Sequence, residues 1–178
     1  MAKIESRENL LRKITSARHS LLLIMIFTVI NMVMALLDSG SYFLFSISVP
    51  YYMTLLGMLM DYGAVGTYAI TGTVIGAVIL VVYLLCWLLS KKKTGWLTVA
   101  FVLMIVDTAA LALFTFTLYE NPAENLFDFL LHAWMLWDLF KGFTAGSKLK
   151  KLPAEADEAL DMSSFYGTVT DGSDNVDL

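Results

Sequence analysis

The stretch ENLFDFLLHAWMLWDLFKG, residues 124–142, has the length of a membrane-spanning helix but carries Asp128, His132 and Asp138. A bilayer core of ~30 Å needs about 20 predominantly apolar residues in a helix. Ionisable side chains inside a membrane are costly, and they usually face a partner or mark a functional site. The fold therefore depends on what holds this helix among apolar neighbours.

Three other segments are long and apolar enough to accompany this helix across a membrane. Asn121 can cap the quoted helix and Pro122 suits a first helical turn, so we expect it to begin near Pro122 and to end near Gly142. The four predicted spans cover about 19–37, 66–90, 95–118 and 122–142. The predicted fold is an all-α polytopic membrane four-helix bundle over residues 19–145.

The composition of the chain agrees with a membrane protein. Of its 178 residues 58% are hydrophobic and only 16% are charged, and the mean hydropathy is +0.69. Soluble domains are typically about 45–50% apolar and about 25% charged. The single cysteine, Cys86, lies in an apolar run, so an intrachain disulfide is excluded.

Basic residues indicate how the chain is oriented. All twelve Lys and Arg residues fall in three clusters, before the first span, between the second and third, and at or after the end of the fourth. The clusters are Lys3, Arg7, Arg12, Lys13 and Arg18; Lys91, Lys92 and Lys93; and Lys141, Lys148, Lys150 and Lys151. Because Lys and Arg remain on the cytoplasmic side, the pattern predicts a multi-pass protein of a bacterial cytoplasmic membrane with both termini inside.

The remaining segments have their own signatures. Residues 1–18 are predicted to form a basic interfacial helix on the anionic lipid of the inner face, with a partner-binding helix as the alternative. Residues 38–65 are predicted to be an outer interfacial or re-entrant segment, because Pro50 interrupts the apolar run 42–60. Residues 146–178 read as a cytoplasmic tail that becomes acidic and disordered.

Polar residues on different helices fall at a similar depth and form a candidate intramembrane cluster. Asp107 lies ~18 Å from the start of its helix and His132 ~15 Å from the start of its own. Asn31 lies slightly nearer the outer side, and Asp128 shares a helix face with His132 because four residues separate them. Asp138 is close enough to Lys141 to pair with it.

Insertion energetics make the last helix dependent on this cluster. Its eight Leu and Phe residues between 126 and 140 favour insertion by roughly 3 kcal/mol, against two Asp and one His residue that oppose it. We therefore expect Asp107 and His132 to face each other. The pair is a structural lock, a proton- or ion-linked site, or, with Asp128, a metal site; a single imidazole without thiolates makes the metal signal weak.

Two glycines indicate a close helix contact. Gly72 and Gly76 are four residues apart, and small residues at this spacing let helix backbones approach closely in lipid. The contact is either within the bundle or the face of a homo-oligomer.

The segment SYFLFSISVPYY at 41–52 and the segment LLHAWMLWDLFKGFTAGSKLKKLP at 130–153 lie on either side of a span that bears Asp107. This arrangement resembles a group of small uncharacterised bacterial four-span membrane proteins, over roughly residues 16–153. The resemblance implies the four-span topology and no particular activity.

The sequence contains no nucleophile–base arrangement, no phosphate-binding glycine loop and no nucleic-acid module. We therefore expect a small structural or regulatory membrane bundle, not an enzyme, that needs no cofactor or metal and binds no nucleic acid. Its partners would be the lipid bilayer and a second copy or another membrane protein. The alternative is a small proton- or ion-linked transporter subunit acting as an oligomer.

Overall fold

The computed structural model describes residues 6–40, 45–118 and 122–152. Within these ranges the chain is helical and contains no strand, which confirms the predicted all-α class. The helices are α1 (Arg7–Leu36), α2 (Ser48–Met60), α3 (Thr67–Leu89), α4 (Gly95–Leu118) and α5 (Leu126–Leu149), and a 3-10 turn, Pro122–Asn125, precedes α5.

Three helices, α1, α3 and α4, are long and apolar enough to cross a membrane. Their outward faces carry large apolar side chains, for example Val29 at 51%, Val78 at 59% and Val106 at 60% exposure. Such a continuous apolar surface would promote aggregation in water but suits lipid. The expectation of a transmembrane protein is confirmed to this extent.

The four long helices contact one another in a closed cycle of α1, α5, α4 and α3, and α2 packs on α1, α3 and α4. Neighbours in the cycle run antiparallel: Asp138 of α5 reaches Ser20 of α1, while Gly142, further along α5, lies against Ala17. One end of the molecule therefore contains the beginnings of α1 and α4 and the ends of α3 and α5.

The predicted interfacial helix 1–18 is wrong as a separate element. Residues 7–18 are the first turns of α1, which continues without a break to Leu36. Leu10 and Ile14 are 1% and 7% exposed and belong to the protein core, whereas Leu11 is 45% exposed. The cause is the length of α5, which continues far enough to pack on this part of α1.

The predicted bounds 122–142 of the last helix also need correction. Helix α5 begins at Leu126 and ends at Leu149, so residues 146–149, predicted to belong to the tail, form its last turn. Gly142 does not end the helix. A Cβ atom at this position would collide with the Cβ of Ala17, so glycine permits the close approach of α5 to α1.

Some predictions fall outside the described residues. They are the capping role of Asn121 and what was expected of residues 1–5, residues 41–44 and the acidic tail from residue 153 onward.

The two predicted spans 66–90 and 95–118 agree with α3 and α4 within one residue.

Helix α2 is the short element of the fold. Its 13 residues extend ~20 Å, less than the ~30 Å of a bilayer core. Pro50 lies in the first turn of α2 and not in its middle, so it begins a helix where the sequence analysis expected an interruption. At the other end, Asp61 accepts the N–H of Ala69 at 2.7 Å and so caps the start of α3.

Glycines join α2 to α3 almost backbone to backbone. A Cβ at Gly72 would collide with the carbonyl oxygen of Met53, and one at Gly76 would lie 2.8 Å from the carbonyl oxygen of Pro50. The two helices are antiparallel, since Gly57 of α2 lies against Tyr68. The structure thus places Gly72 and Gly76 in a contact inside the chain.

We expect Gly72→Ala to destabilise the protein by about 1–3 kcal/mol, because the added methyl group must push one backbone away from another. Thermal unfolding in mild detergent measures the effect. Gly95→Ala is the matched control, since a Cβ at that position meets nothing within 4 Å. Equal melting temperatures for the two variants would contradict the close contact of α2 with α3.

Candidate functional site

The carboxylate of Asp107 holds the beginning of α2. Asp107 is twelve residues into α4, ~18 Å along the helix from Gly95. Its Oδ2 accepts the backbone N–H of Ser48 at 2.9 Å and its Oδ1 accepts that of Val49 at 2.8 Å. A carboxylate at a helix N-terminus is favoured both by these hydrogen bonds and by the helix dipole. Asp107 is only 3% exposed, so water contributes little to its stabilisation.

The remaining N–H groups at the start of α2 are also accounted for. The N–H of Ile47, the residue before the helix, donates to Oγ1 of Thr28 on α1 at 2.7 Å. Thr28 in turn donates to the carbonyl of Ile24 at 2.7 Å. Pro50 has no N–H to satisfy. The N-terminus of α2 is therefore buried without an unpaired donor over residues 47–50, as a buried helix end requires.

His132 of α5 completes the site from the opposite side. Its Nε2 lies 3.1 Å from Oδ2 of Asp107 and 3.2 Å from Oγ of Ser48. Its Nδ1 lies 2.8 Å from the backbone carbonyl oxygen of Asp128, one helical turn earlier. The imidazole is 2% exposed. The site thus ties α2, α4 and α5 together at a single carboxylate, and α1 joins through Thr28. We refer to Thr28, Ser48, Asp107 and His132 as the polar layer.

The contacts of His132 constrain where the protons of this pair lie. A backbone carbonyl only accepts, so Nδ1 of His132 carries a hydrogen. If Nε2 were an unprotonated acceptor facing an ionised Asp107, two lone pairs would oppose each other at 3.1 Å. A proton between Nε2 and Oδ2 would remove this repulsion and form a direct hydrogen bond. The pair would then be imidazolium with carboxylate or imidazole with carboxylic acid, and neither form has a net charge.

The structure brings the predicted partners Asp107 and His132 into direct contact. Asp128, buried to 6% exposure, contributes its backbone carbonyl to His132. Asn31 is fully buried on α1, one turn beyond Thr28, and the polar contacts of Asp107 and His132 include Ser48, Val49 and Asp128.

Sequence reasoning missed Thr28 and Ser48. Ser48 stands two residues before Pro50, and this spacing is a signal for a helix start that the apolar run obscured. No sequence signal links Thr28 to Ile47, because their hydrogen bond joins two elements that only the fold brings together.

A metal site is not supported. Over residues 6–40, 45–118 and 122–152, no group of three His, Cys, Asp or Glu side chains is arranged to hold a metal ion. Asp128 meets His132 through its backbone carbonyl, and this contact occupies Nδ1 of the imidazole, while Nε2 faces Asp107.

A second polar cluster lies nearer the end of the molecule where α1 begins. Asp138 of α5 is 4% exposed and accepts a hydrogen bond from Oγ of Ser20 at 2.8 Å. Nζ of Lys141, whose side chain is 37% exposed, lies 3.0 Å from the other carboxylate oxygen of Asp138. The pairing of Asp138 with Lys141 expected from their spacing is present, and Ser20 adds a link to α1.

No family model matches the chain, and no curated protein or solved structure is significantly similar to it. The arguments for function therefore rest on the polar layer, on the second cluster around Asp138 and on the apolar surface.

We expect Asp107→Leu to destabilise the protein by about 1–3 kcal/mol more than His132→Leu, because it leaves two buried backbone N–H groups of α2 without an acceptor. Unfolding of both single variants and the double variant in detergent measures the difference. The double variant should lose less stability than the sum of the two single losses, since interhelical hydrogen bonds in membranes couple by ~0.6 kcal/mol on average. Thr108→Leu, at the neighbouring position of α4, is the control. Equal losses for Asp107→Leu and His132→Leu would contradict a capping role for Asp107.

Proposed function

We propose that the chain is a multi-pass protein of a bacterial cytoplasmic membrane, which it crosses four times through α1, α3, α4 and α5. The distribution of residues around α5 supports the fourth crossing. Its acidic residues and its histidine, Asp128, His132 and Asp138, are all buried, whereas its outward face carries Leu130 and Trp137 at 57% and 60% exposure. A helix whose acidic and imidazole groups face protein can lie in lipid although its average hydropathy is modest.

The antiparallel cycle supports a topology with both termini in the cytoplasm. Four antiparallel helices return the chain to the side where it started, and the described residues of the three basic clusters lie at that end, where α1 begins and α5 finishes. The positive-inside rule makes this end cytoplasmic. The same topology is that of the small four-span bacterial proteins which the sequence resembles, and we propose that the chain belongs with them.

Within this topology α2 is a re-entrant helix. It begins at the polar layer, near mid-membrane, and runs ~20 Å toward the outer face, where Asp61 caps α3. Irregular backbone at membrane depth is tolerated only where protein covers it and satisfies its polar groups. The hydrogen bonds of Ile47, Ser48 and Val49 meet that condition.

We propose that the protein is a small structural or regulatory membrane bundle and not an enzyme, in which the polar layer locks the helices together. The observation that carries this role is that both oxygens of Asp107 are occupied by backbone donors of α2. A carboxylate used in this way holds the architecture and has little capacity left for a substrate. A second copy or another membrane protein would be the partner of such a bundle.

A second candidate is proton-linked transport, which the shared proton of Asp107 and His132 favours. Intramembrane ionisable pairs commonly belong to proton pathways, and helices that begin at mid-membrane are frequent in transporters. Four helices with a central re-entrant helix leave little space for a water path, so this function would require an oligomer.

The topology predicts the reactivity of single cysteines placed in a Cys86→Ala background. Ser39→Cys, at an exposed position after α1, should react with a membrane-impermeant thiol reagent in intact cells. Lys92→Cys, also exposed, should react only after the cells are permeabilised. The opposite pattern would invert the topology, and equal reactivity in intact cells would refute the membrane crossing of α3.

The structural role predicts that purified protein in liposomes carries no proton flux above that of empty liposomes. A pH-sensitive dye inside the vesicles measures the flux under an imposed pH gradient. Asp107→Asn and His132→Gln, both checked for folding by their melting curves, are the comparison variants. A flux in the wild-type protein that either folded variant loses would make transport the function and the lock secondary.

A further inference from the structure

An apolar groove runs between α1 and α3 on the surface of the bundle and has a volume of about 230 Å³. Its walls are formed by Leu22, Ile26 and Val29 of α1 and by Leu80, Val81 and Leu84 of α3. Ile26 and Val81 are 48% and 52% exposed, so the groove is open to the surroundings. From Leu22 to Val29 it extends ~11 Å along α1.

One end of the groove meets a pair of cations. Arg18 lies one turn before Leu22 on α1, while Trp87 follows Leu84 on α3 and Lys91 lies in the turn just after α3. Because α1 and α3 are antiparallel, these residues meet at the end of the bundle that carries the basic clusters. Nε of Arg18 donates to Oγ of Ser90 at 3.0 Å, so this part of α1 lies against the end of α3.

Both cations are held against one indole ring. The guanidinium carbon of Arg18 lies 5.6 Å and Nζ of Lys91 5.3 Å from the ring centroid of Trp87. Cation–π contacts at such distances hold the two charges in place. Nε of Arg18 is engaged by Ser90, which leaves the two terminal nitrogens of the guanidinium group to face an additional ligand.

No protein anion neutralises these charges in the described part of the chain. The ion pairs of that part include His132 with Asp107 and Lys141 with Asp138, and none within 4.0 Å involves Arg18 or Lys91. Two cations fixed on one ring repel each other unless an anion joins them. The arrangement therefore favours an external anion, and the planar guanidinium group suits a phosphate.

We propose that this site binds one anionic phospholipid, with its phosphate against Arg18 and Lys91 and an acyl chain in the groove between α1 and α3. The two cations adjoin one end of the apolar groove, just as the charged head group of a phospholipid adjoins its acyl chains. Basic pockets between helices at the cytoplasmic side are suited to anionic head groups. A soluble phosphate would use the cations but would gain nothing from the groove.

The site requires only that α1 and α3 lie in a membrane. It depends neither on the fourth crossing nor on the role of Asp107, so its test is independent of those for the proposed function.

Native mass spectrometry of the full chain in mild detergent, titrated with phosphatidylglycerol or phosphatidylcholine, tests the proposal. We expect one phosphatidylglycerol to be retained per chain and phosphatidylcholine to be retained more weakly. The double variant Arg18→Gln, Lys91→Gln should bind phosphatidylglycerol on the order of tenfold more weakly, since each basic residue near an anionic lipid contributes to its attraction. Arg12→Gln with Lys150→Gln, an equal change of charge at exposed positions of the same end, should bind as wild type.

A second pair of variants tests the groove. Val81→Trp fills it and should reduce the retention of phosphatidylglycerol, while Val78→Trp on the same helix, 59% exposed and outside the groove, should not. If Arg12→Gln with Lys150→Gln lost as much phosphatidylglycerol binding as Arg18→Gln with Lys91→Gln, the attraction would be unspecific and the proposed site would be refuted. Inorganic phosphate that raises the melting temperature as much as phosphatidylglycerol would make it a free-anion site. A change from dimer to monomer in Val81→Trp with unaltered lipid retention would assign the groove to a second copy.

Discussion

The structure depends on one carboxylate. A helix that starts inside a bilayer exposes N–H groups which lipid cannot satisfy, and each unpaired group there costs several kcal/mol. Asp107 removes this cost for Ser48 and Val49, Thr28 removes it for Ile47, and Pro50 has no N–H. Without these partners the start of α2 could not be buried in the bundle without unpaired N–H groups.

The same carboxylate creates a second requirement. A carboxylate that is only 3% exposed needs a polar partner as well as its two backbone hydrogen bonds. His132 is that partner, and the carbonyl of Asp128 orients the imidazole so that Nε2 and not Nδ1 faces the carboxylate. Two of the polar residues that make α5 a poor membrane helix by composition thus attach it to its neighbours, His132 to α4 and Asp138 to α1.

Much of this architecture could be predicted from sequence, and the failures have physical causes. The spans at 66–90 and 95–118 follow from apolar composition and length, and the contact of Asp107 with His132 follows from depth and from the cost of leaving either unpaired. The end of α5 was misplaced because glycine both ends helices and permits close packing, and Gly142 serves the second purpose. The partners of α2 were missed because sequence spacing does not reveal which distant side chain caps a helix.

Small residues and hydrogen bonds between side chains hold different helix pairs together. Helices in lipid gain no hydrophobic energy from pairing, so close packing and hydrogen bonds must hold them together. Helices α1 and α5 have Gly142 and the Asp138–Ser20 bond, α4 and α5 have His132 with Asp107, and α1 and α3 have Arg18 with Ser90.

In the described chain, α3 and α4 have no side-chain hydrogen bond between them, and they are also the pair joined by the shortest connection, residues 90–94. A short loop keeps its two helices close at little entropic cost. The polar links of the cycle join its other three pairs: α1 with α5 and α1 with α3, which are distant in the chain, and α4 with α5, whose connection, residues 119–125, is longer.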